Sequence, residues 1–83
     1  MIKIHVLYFA AVRDLAGIDA ETITLPDEVR TIDALCTHLQ KSRPAFEGRL
    51  GYVRFARNEE FAKGGDAIAD GDVIALIPPV AGG

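Results

Sequence analysis

At 83 residues the chain has room for one small domain, which buries only about 60–65% of its unfolded surface and leaves no space for a deep pocket. A net charge of −3, with nine Lys and Arg scattered and never in a run, argues against nucleic acid as a partner, and a single cysteine excludes an internal disulfide. With no signal-peptide pattern and no apolar stretch long enough to span a membrane, a reducing, cytoplasmic setting without a membrane partner is expected.

The first segment, Ile2 to Phe9, alternates as a strand, with Ile2, Ile4, Val6 and Tyr8 on one face and Lys3, His5, Leu7 and Phe9 on the other. Ala10 to Ala16 is rich in Ala and Leu and predicts one or two helical turns, closed by Gly17. Ala20 to Leu25 reads as a second strand, with Ile23 and Leu25 on one face and Thr22 and Thr24 on the other, stopped by Pro26. Thr31 is a candidate N-cap, after which Ile32, Leu35, Cys36 and Leu39 repeat at helical spacing; Pro44 ends this helix near Ser42. Phe46 and Leu50 are expected to plug the core from the connection that follows. Tyr52 to Arg57 alternates as a third strand, Phe61 starts a short segment, Asp70-Gly71 marks a tight turn, and Asp72 to Ile77 is the last strand. Strand, strand, helix, strand, short strand, strand predicts an α+β fold, a mixed sheet with one main helix packed across it. That is a β-grasp, or ubiquitin-like, arrangement over residues 1–77, in which the first and last strands commonly lie side by side.

Residues 78–83 read as an extended tail. Pro78 and Pro79 lack N–H groups and fix φ, so they end sheet pairing and send the chain outward stiffly. Gly82 and Gly83 have no Cβ, which lets the walls of a narrow channel close around the backbone. Extended, Pro78 to Gly83 would reach on the order of 20 Å. The α-carboxylate of Gly83 is a poor electrophile and needs activation, most simply as an acyl-adenylate. The residues for that step should belong to another protein, because Gly64-Gly65 is followed by Asp66 and not by the Lys and Ser/Thr of a nucleotide-binding loop.

Other polar residues carry less. Cys36 lies in the apolar stripe of the main helix and is expected to be a buried, inert thiol. His5 and His38 lack companions at metal-ligand spacing and are expected on the surface, so no metal site is expected. Asp70-Gly71-Asp72 lacks the remaining ligands of a calcium loop, and Asp27-Glu28 are expected to favour the positive end of the main helix.

Three blocks carry a family resemblance: Val6 to Gly17 (VLYFAAVRDLAG), Thr31 to Leu35 (TIDAL) and, the most specific, Ala69 to Gly83 (ADGDVIALIPPVAGG). With them the chain resembles, over nearly its whole length, the small, sulfur-carrying subunits of molybdopterin synthase. Two departures are visible: the first strand is slightly longer than usual, and Arg57 stands before Asn58 where an aliphatic residue is more common. The resemblance implies that a ubiquitin-activating-like adenylyltransferase uses ATP and Mg²⁺ to adenylate Gly83, and that a sulfur donor, such as a cysteine desulfurase or rhodanese, converts it to a thiocarboxylate. No cofactor would be bound by this chain itself. The tail, Val80, Ala81 and Gly82, would insert into the large subunit in an assembly of two small and two large chains, and sulfur would pass to cyclic pyranopterin monophosphate to build the dithiolene. Phe9, Phe61 and Ile77, with Pro78 and Pro79, are the expected interface at the root of the tail, against the alternative that Phe9, Phe61 and Ile77 close a second small core. A sulfur carrier for thiamine thiazole or another product, a ubiquitin-like modifier and a purely binding β-grasp domain are the alternatives.

Overall fold

A computed structural model describes residues 1–79. The elements are β1 (Ile2–Tyr8), α1 (Ala10–Ala16), β2 (Ala20–Leu25), α2 (Ile32–Ser42), a single 3-10 turn (Pro44–Phe46), β3 (Arg54–Arg57), β4 (Glu60–Ala62) and β5 (Val73–Ile77). The strands form one sheet in the order β2-β1-β5-β3-β4. β1 runs parallel to β5 and antiparallel to β2, and β3 is antiparallel to both of its neighbours, so the sheet is mixed, with the first and last strands at its centre. With α2 across one face, this is the β-grasp architecture.

Local chemistry accounts for the boundaries. Gly17 closes α1 in the left-handed region, φ 78°, where a Cβ would be strained. The Thr31 hydroxyl accepts the Ala34 N–H at 3.2 Å, satisfying one of the free donors at the start of α2, and the helix stops at Ser42 because Arg43 is pulled to an extended conformation by Pro44. Asp33 is the acid in the first turn of α2; Asp27 instead meets the amino group of Met1 at 2.8 Å, so the expected role for Asp27 at the helix end does not hold. β3 begins two residues later than the alternation suggests. Its partner β5 ends at Ile77, paired with Arg54, and Pro78 cannot extend the ladder, so Tyr52 is left in a turn and 84% exposed. β1 likewise ends at Tyr8, and Phe9 becomes the extended N-cap residue of α1.

The core lies between the sheet and α2. Ile4, Val6, Tyr8, Leu25, Phe55, Ile74 and Leu76 from the strands meet Ile32, Leu35 and Leu39 from the helix, with Phe46 and Leu50 inserted from the connection. Cys36 packs at the margin of this core and is half-buried, less than expected; burial pushes its thiol up, so it stays protonated at neutral pH. At the edge of the core the Tyr8 hydroxyl donates to Glu21, whose carboxylate also takes Arg43 Nε at 3.0 Å, while the guanidinium lies 5.8 and 5.9 Å from the centres of the Tyr8 and Phe46 rings. One cation thereby ties the end of α2 to β1, β2 and the 3-10 turn. Burial, reinforced by the Glu21 carboxylate, pushes the Tyr8 hydroxyl well above its ordinary range, so it remains a donor at any working pH.

A second polar knot joins the β3–β4 hairpin to β5. Asp72, 7% exposed, accepts from Arg57 Nε at 2.6 Å, Asn58 Nδ2 at 3.0 Å and the Ala69 N–H at 2.8 Å. Burial pushes its carboxyl up, but those donors together outweigh burial and hold it below the usual carboxylate range. Arg57, one of the two departures from the family pattern, thus serves the fold as a partner of this carboxylate.

Two outcomes follow for stability. Phe46→Ala removes a fully buried ring and should cost about 3–5 kcal/mol in urea unfolding. Because the folded pKa of Asp72 is depressed, its contribution is complete above the unfolded value of about 3.9 and is lost as pH falls through the folded value. Asp72→Asn should therefore lower the unfolding midpoint at pH 7, and its deficit against the native chain should shrink when both are measured at pH 3.

Candidate functional site

Strand alternation that sends Ile4, Val6 and Tyr8 into the core sends Lys3, His5 and Leu7 to the opposite face. The same rule on β5 turns Val73, Ala75 and Ile77 outward beside Leu7, and on β3 turns Arg54 and Ala56 outward beside them. Phe61 of β4 pairs with Ala56, and Phe9 continues past the end of β1. Over β2 and the start of β1 this outer face is polar, carrying Lys3, His5, Thr22 and Thr24. Over β5, β3 and β4 it is apolar, and Leu7, Phe9, Ala56, Phe61, Val73, Ala75 and Ile77 line one shallow depression.

No described element covers it. Phe9 is 45% and Phe61 61% exposed, which an enclosed second core would not allow, so the alternative that these side chains close a minicore under a loop does not describe the chain alone. Ile77 and Pro78 are half-buried and Pro79 is exposed, so the expected interface residues Phe9, Phe61, Ile77, Pro78 and Pro79 gather at the end of β5 where the tail departs. The tail residues Val80, Ala81, Gly82 and Gly83 lie outside the described residues. Leu7, Ala56, Val73 and Ala75 complete the surface and were not singled out from sequence, although stepping back by two from Phe9 and from Ile77 reaches three of them.

The rim is built with backbone that side chains seldom adopt. Ala10, Asn58 and Glu59 are the non-glycine residues at positive φ among the described residues, at 49°, 51° and 73°. Ala10 follows Phe9, and Asn58-Glu59 is the two-residue turn between β3 and β4 that presents Phe61. Asn58 is locked to β5 by its own N–H to the Val73 carbonyl at 2.8 Å and by the Val73 N–H to its Oδ1 at 2.9 Å. Chemically, the face is suited to association: among the described residues Glu59 is the one titratable side chain lining the depression. Nor does any group of three or more His, Cys, Asp or Glu side chains come together in metal-binding range among those residues. None of the described helices is long and apolar enough to cross a membrane.

A mixed five-stranded sheet with one helix across it and a bare apolar outer face defines a ubiquitin-like β-grasp domain. The ThiS family model matches residues 6–83, and the chain belongs to that family. It is 39% identical to the molybdopterin synthase sulfur carrier subunit of Chlamydomonas reinhardtii, over 98% of this chain and 99% of that one, and 32% identical to the human protein of the same name, over 98% and 94%. Among solved structures it resembles Haloferax volcanii small archaeal modifier protein 1, at 27% identity and a TM-score of 0.83 over 96% of this chain and all of that one. It also resembles a chain in the complex of subunits 1 and 2 of molybdopterin-converting factor from Helicobacter pylori, at 25% identity and a TM-score of 0.72 over 99% and 100%.

Because Phe9 and Phe61 add little to the core, Phe9→Asp and Phe61→Asp should keep the native far-ultraviolet circular dichroism and shift stability by no more than about 1 kcal/mol. Unfolding of either variant would return these rings to a structural role.

Proposed function

We propose that this chain is the sulfur-carrying subunit of a molybdopterin synthase. The observation that carries the reading is the uncovered apolar face at the strand end from which the Pro-Pro-Val-Ala-Gly-Gly tail leaves, together with full-length similarity to proteins called sulfur carrier subunits. In this reading the Gly83 carboxylate attacks the α-phosphorus of ATP in a ubiquitin-activating-like adenylyltransferase, with Mg²⁺ held there, and pyrophosphate leaves. A persulfide sulfur from a cysteine desulfurase or rhodanese then displaces AMP, and reductive cleavage of the resulting S–S bond by a thiol leaves the thiocarboxylate. The new group keeps its negative charge on a soft, polarisable sulfur, a better nucleophile than the carboxylate oxygen it replaces.

Phe9, Phe61 and Ile77 seat the domain on the large subunit, Pro78 and Pro79 aim the tail, and Val80, Ala81 and Gly82 thread it inward. The thiocarboxylate sulfur attacks a side-chain carbon of cyclic pyranopterin monophosphate, forming a C–S bond as a C–O bond at that carbon breaks. The oxygen leaves as water or stays on the phosphate, and the sulfur is left in an acyl link to Gly83. Water cleaves that link, leaving sulfur on the pterin and restoring the carboxylate. Two such transfers, one per sulfur, build the dithiolene in an assembly of two small and two large chains. The chain is thus a sulfurtransferase subunit whose reacting atom is its own terminus, acting in a reducing, cytoplasmic setting. Acid–base groups for the pterin step belong to the large subunit.

Similarity to the small archaeal modifier protein supports one second reading, in which activated Gly83 forms an isopeptide bond with a target lysine. Intact-mass analysis after incubation with an activating enzyme, ATP and a sulfur source separates the two. Replacement of one terminal oxygen by sulfur is expected in the full chain and absent when Gly83 is deleted. The deletion variant should keep its fold and lose sulfur transfer entirely. Lysine conjugates without a thiocarboxylate would establish the modifier instead.

A further inference from the structure

Opposite charges lie towards the two ends of the apolar depression, Glu59 in its lining and Arg54 beside it, against the Phe61 ring. At the tail end Arg54 pairs across strands with Ile77, and its guanidinium carbon sits 4.1 Å from the centre of the exposed Phe61 ring. Stacking there holds the cation against the ring at the margin of the face instead of letting it sweep through solvent. At the hairpin end Glu59 lines the same depression close to Val73. Val73 and Ile77 are four residues apart on β5, so the two charges are separated by roughly 13 Å along the strand.

Neither charge serves the fold by pairing. Among the described residues neither Arg54 nor Glu59 takes part in an ion pair, whereas the neighbouring Arg57 is engaged by Asp72. Glu60, the other acid of the hairpin, lines a separate depression with Arg57 and Asp66 on the other side of the strand. Glu59 is also an unfavourable residue for its backbone: at φ 73° in the second position of a two-residue hairpin turn, glycine is the relaxed choice. A strained, exposed carboxylate at the rim of a bare face is a feature that packing does not explain.

We infer that Arg54 and Glu59 fix the direction in which the large subunit docks, Arg54 facing an acidic side chain of the partner beside the tail entrance and Glu59 facing a basic one at the hairpin end. The inference rests on the docking reading above. The centre of the face carries the small side chains Ala56 and Ala75 and is shallow, so apolar contact alone discriminates poorly between a correct seating and one turned about the sheet normal. A turned domain would direct its tail away from the channel. A charge dipole along β5 removes that ambiguity and speeds productive encounter.

The test is the association rate between the full-length chain and the molybdopterin synthase large subunit from the same source, measured by stopped flow at low and high salt. Arg54→Glu and Glu59→Lys should each slow association about tenfold at low salt, and the deficit should largely vanish near 0.5 M salt; Arg54→Lys should stay near the native rate. Glu59→Gly should also slow association while raising the thermal unfolding midpoint, two changes of opposite sign that a merely structural residue does not give. Native-like rates for Arg54→Glu and Glu59→Lys, or deficits indifferent to salt, would overturn the inference and leave the docking reading standing. No binding by the native chain would overturn the docking reading, and the inference with it.

Discussion

The parallel pairing of β1 with β5 is the constraint on which everything else depends. Four register pairs, from His5 with Val73 to Tyr8 with Leu76, join the first strand to the last, across almost the whole sequence. Closing so long a loop is entropically costly, and the pairing persists because its inward residues, Val6, Tyr8, Ile74 and Leu76, all sit within the helix-covered core. The same register decides the outer face. Leu7 must lie beside Ala75, and Phe9 must come out at the level where β5 gives way to Pro78. A slip of one residue would exchange the two faces and bury Lys3 and His5, so the core enforces the geometry of the surface.

A small domain has little reason to leave aromatic rings outside. Burying rings such as Phe9 and Phe61 is worth about 1.5–3 kcal/mol each, a large fraction of the stability of a domain this size. Their exposure, next to strained backbone at Ala10 and Glu59, shows that local stability has been given up on one face of the sheet. Asp72 makes the arrangement sustainable. By accepting from Arg57, Asn58 and the Ala69 N–H, its carboxylate fastens the hairpin to the start of β5 and holds the turn in a conformation that Glu59 resists.

Much of this was readable from residue order. Alternation located β1, β2 and β5, Thr31 and Pro44 bounded α2, and Gly17 marked the end of α1, because each of these signals is local. Phe9, Phe61 and Ile77 could be assigned to one surface once the first and last strands were taken as neighbours. What escaped was what depends on pairing between distant segments. β3 is trimmed to Arg54 by the end of its partner strand, and nothing within Tyr52 to Arg57 reports that. Arg57 looked like an oddity until Asp72, fifteen positions away, supplied its reason. Glu21 and Arg43 likewise meet only after the helix folds back over β2. The four tail residues carry their meaning in composition alone.

In the proposed cycle the chain binds at least two partners in turn and leaves each of them. The tail can be identical in both visits, since proline stiffness and missing side chains suit any narrow channel, so discrimination has to come from the folded domain. A large, tightly complementary interface would make release slow, because differences in affinity between related complexes reside mostly in the rate of dissociation. A shallow apolar face with a charge at each end meets the requirement differently. The apolar centre supplies modest attraction, while the ends raise the rate and correctness of encounter without greatly prolonging the complex. On this argument the smallness of the depression between Phe9, Phe61 and Ile77 suits the proposed cycle, in which the same terminus is charged, discharged and charged again.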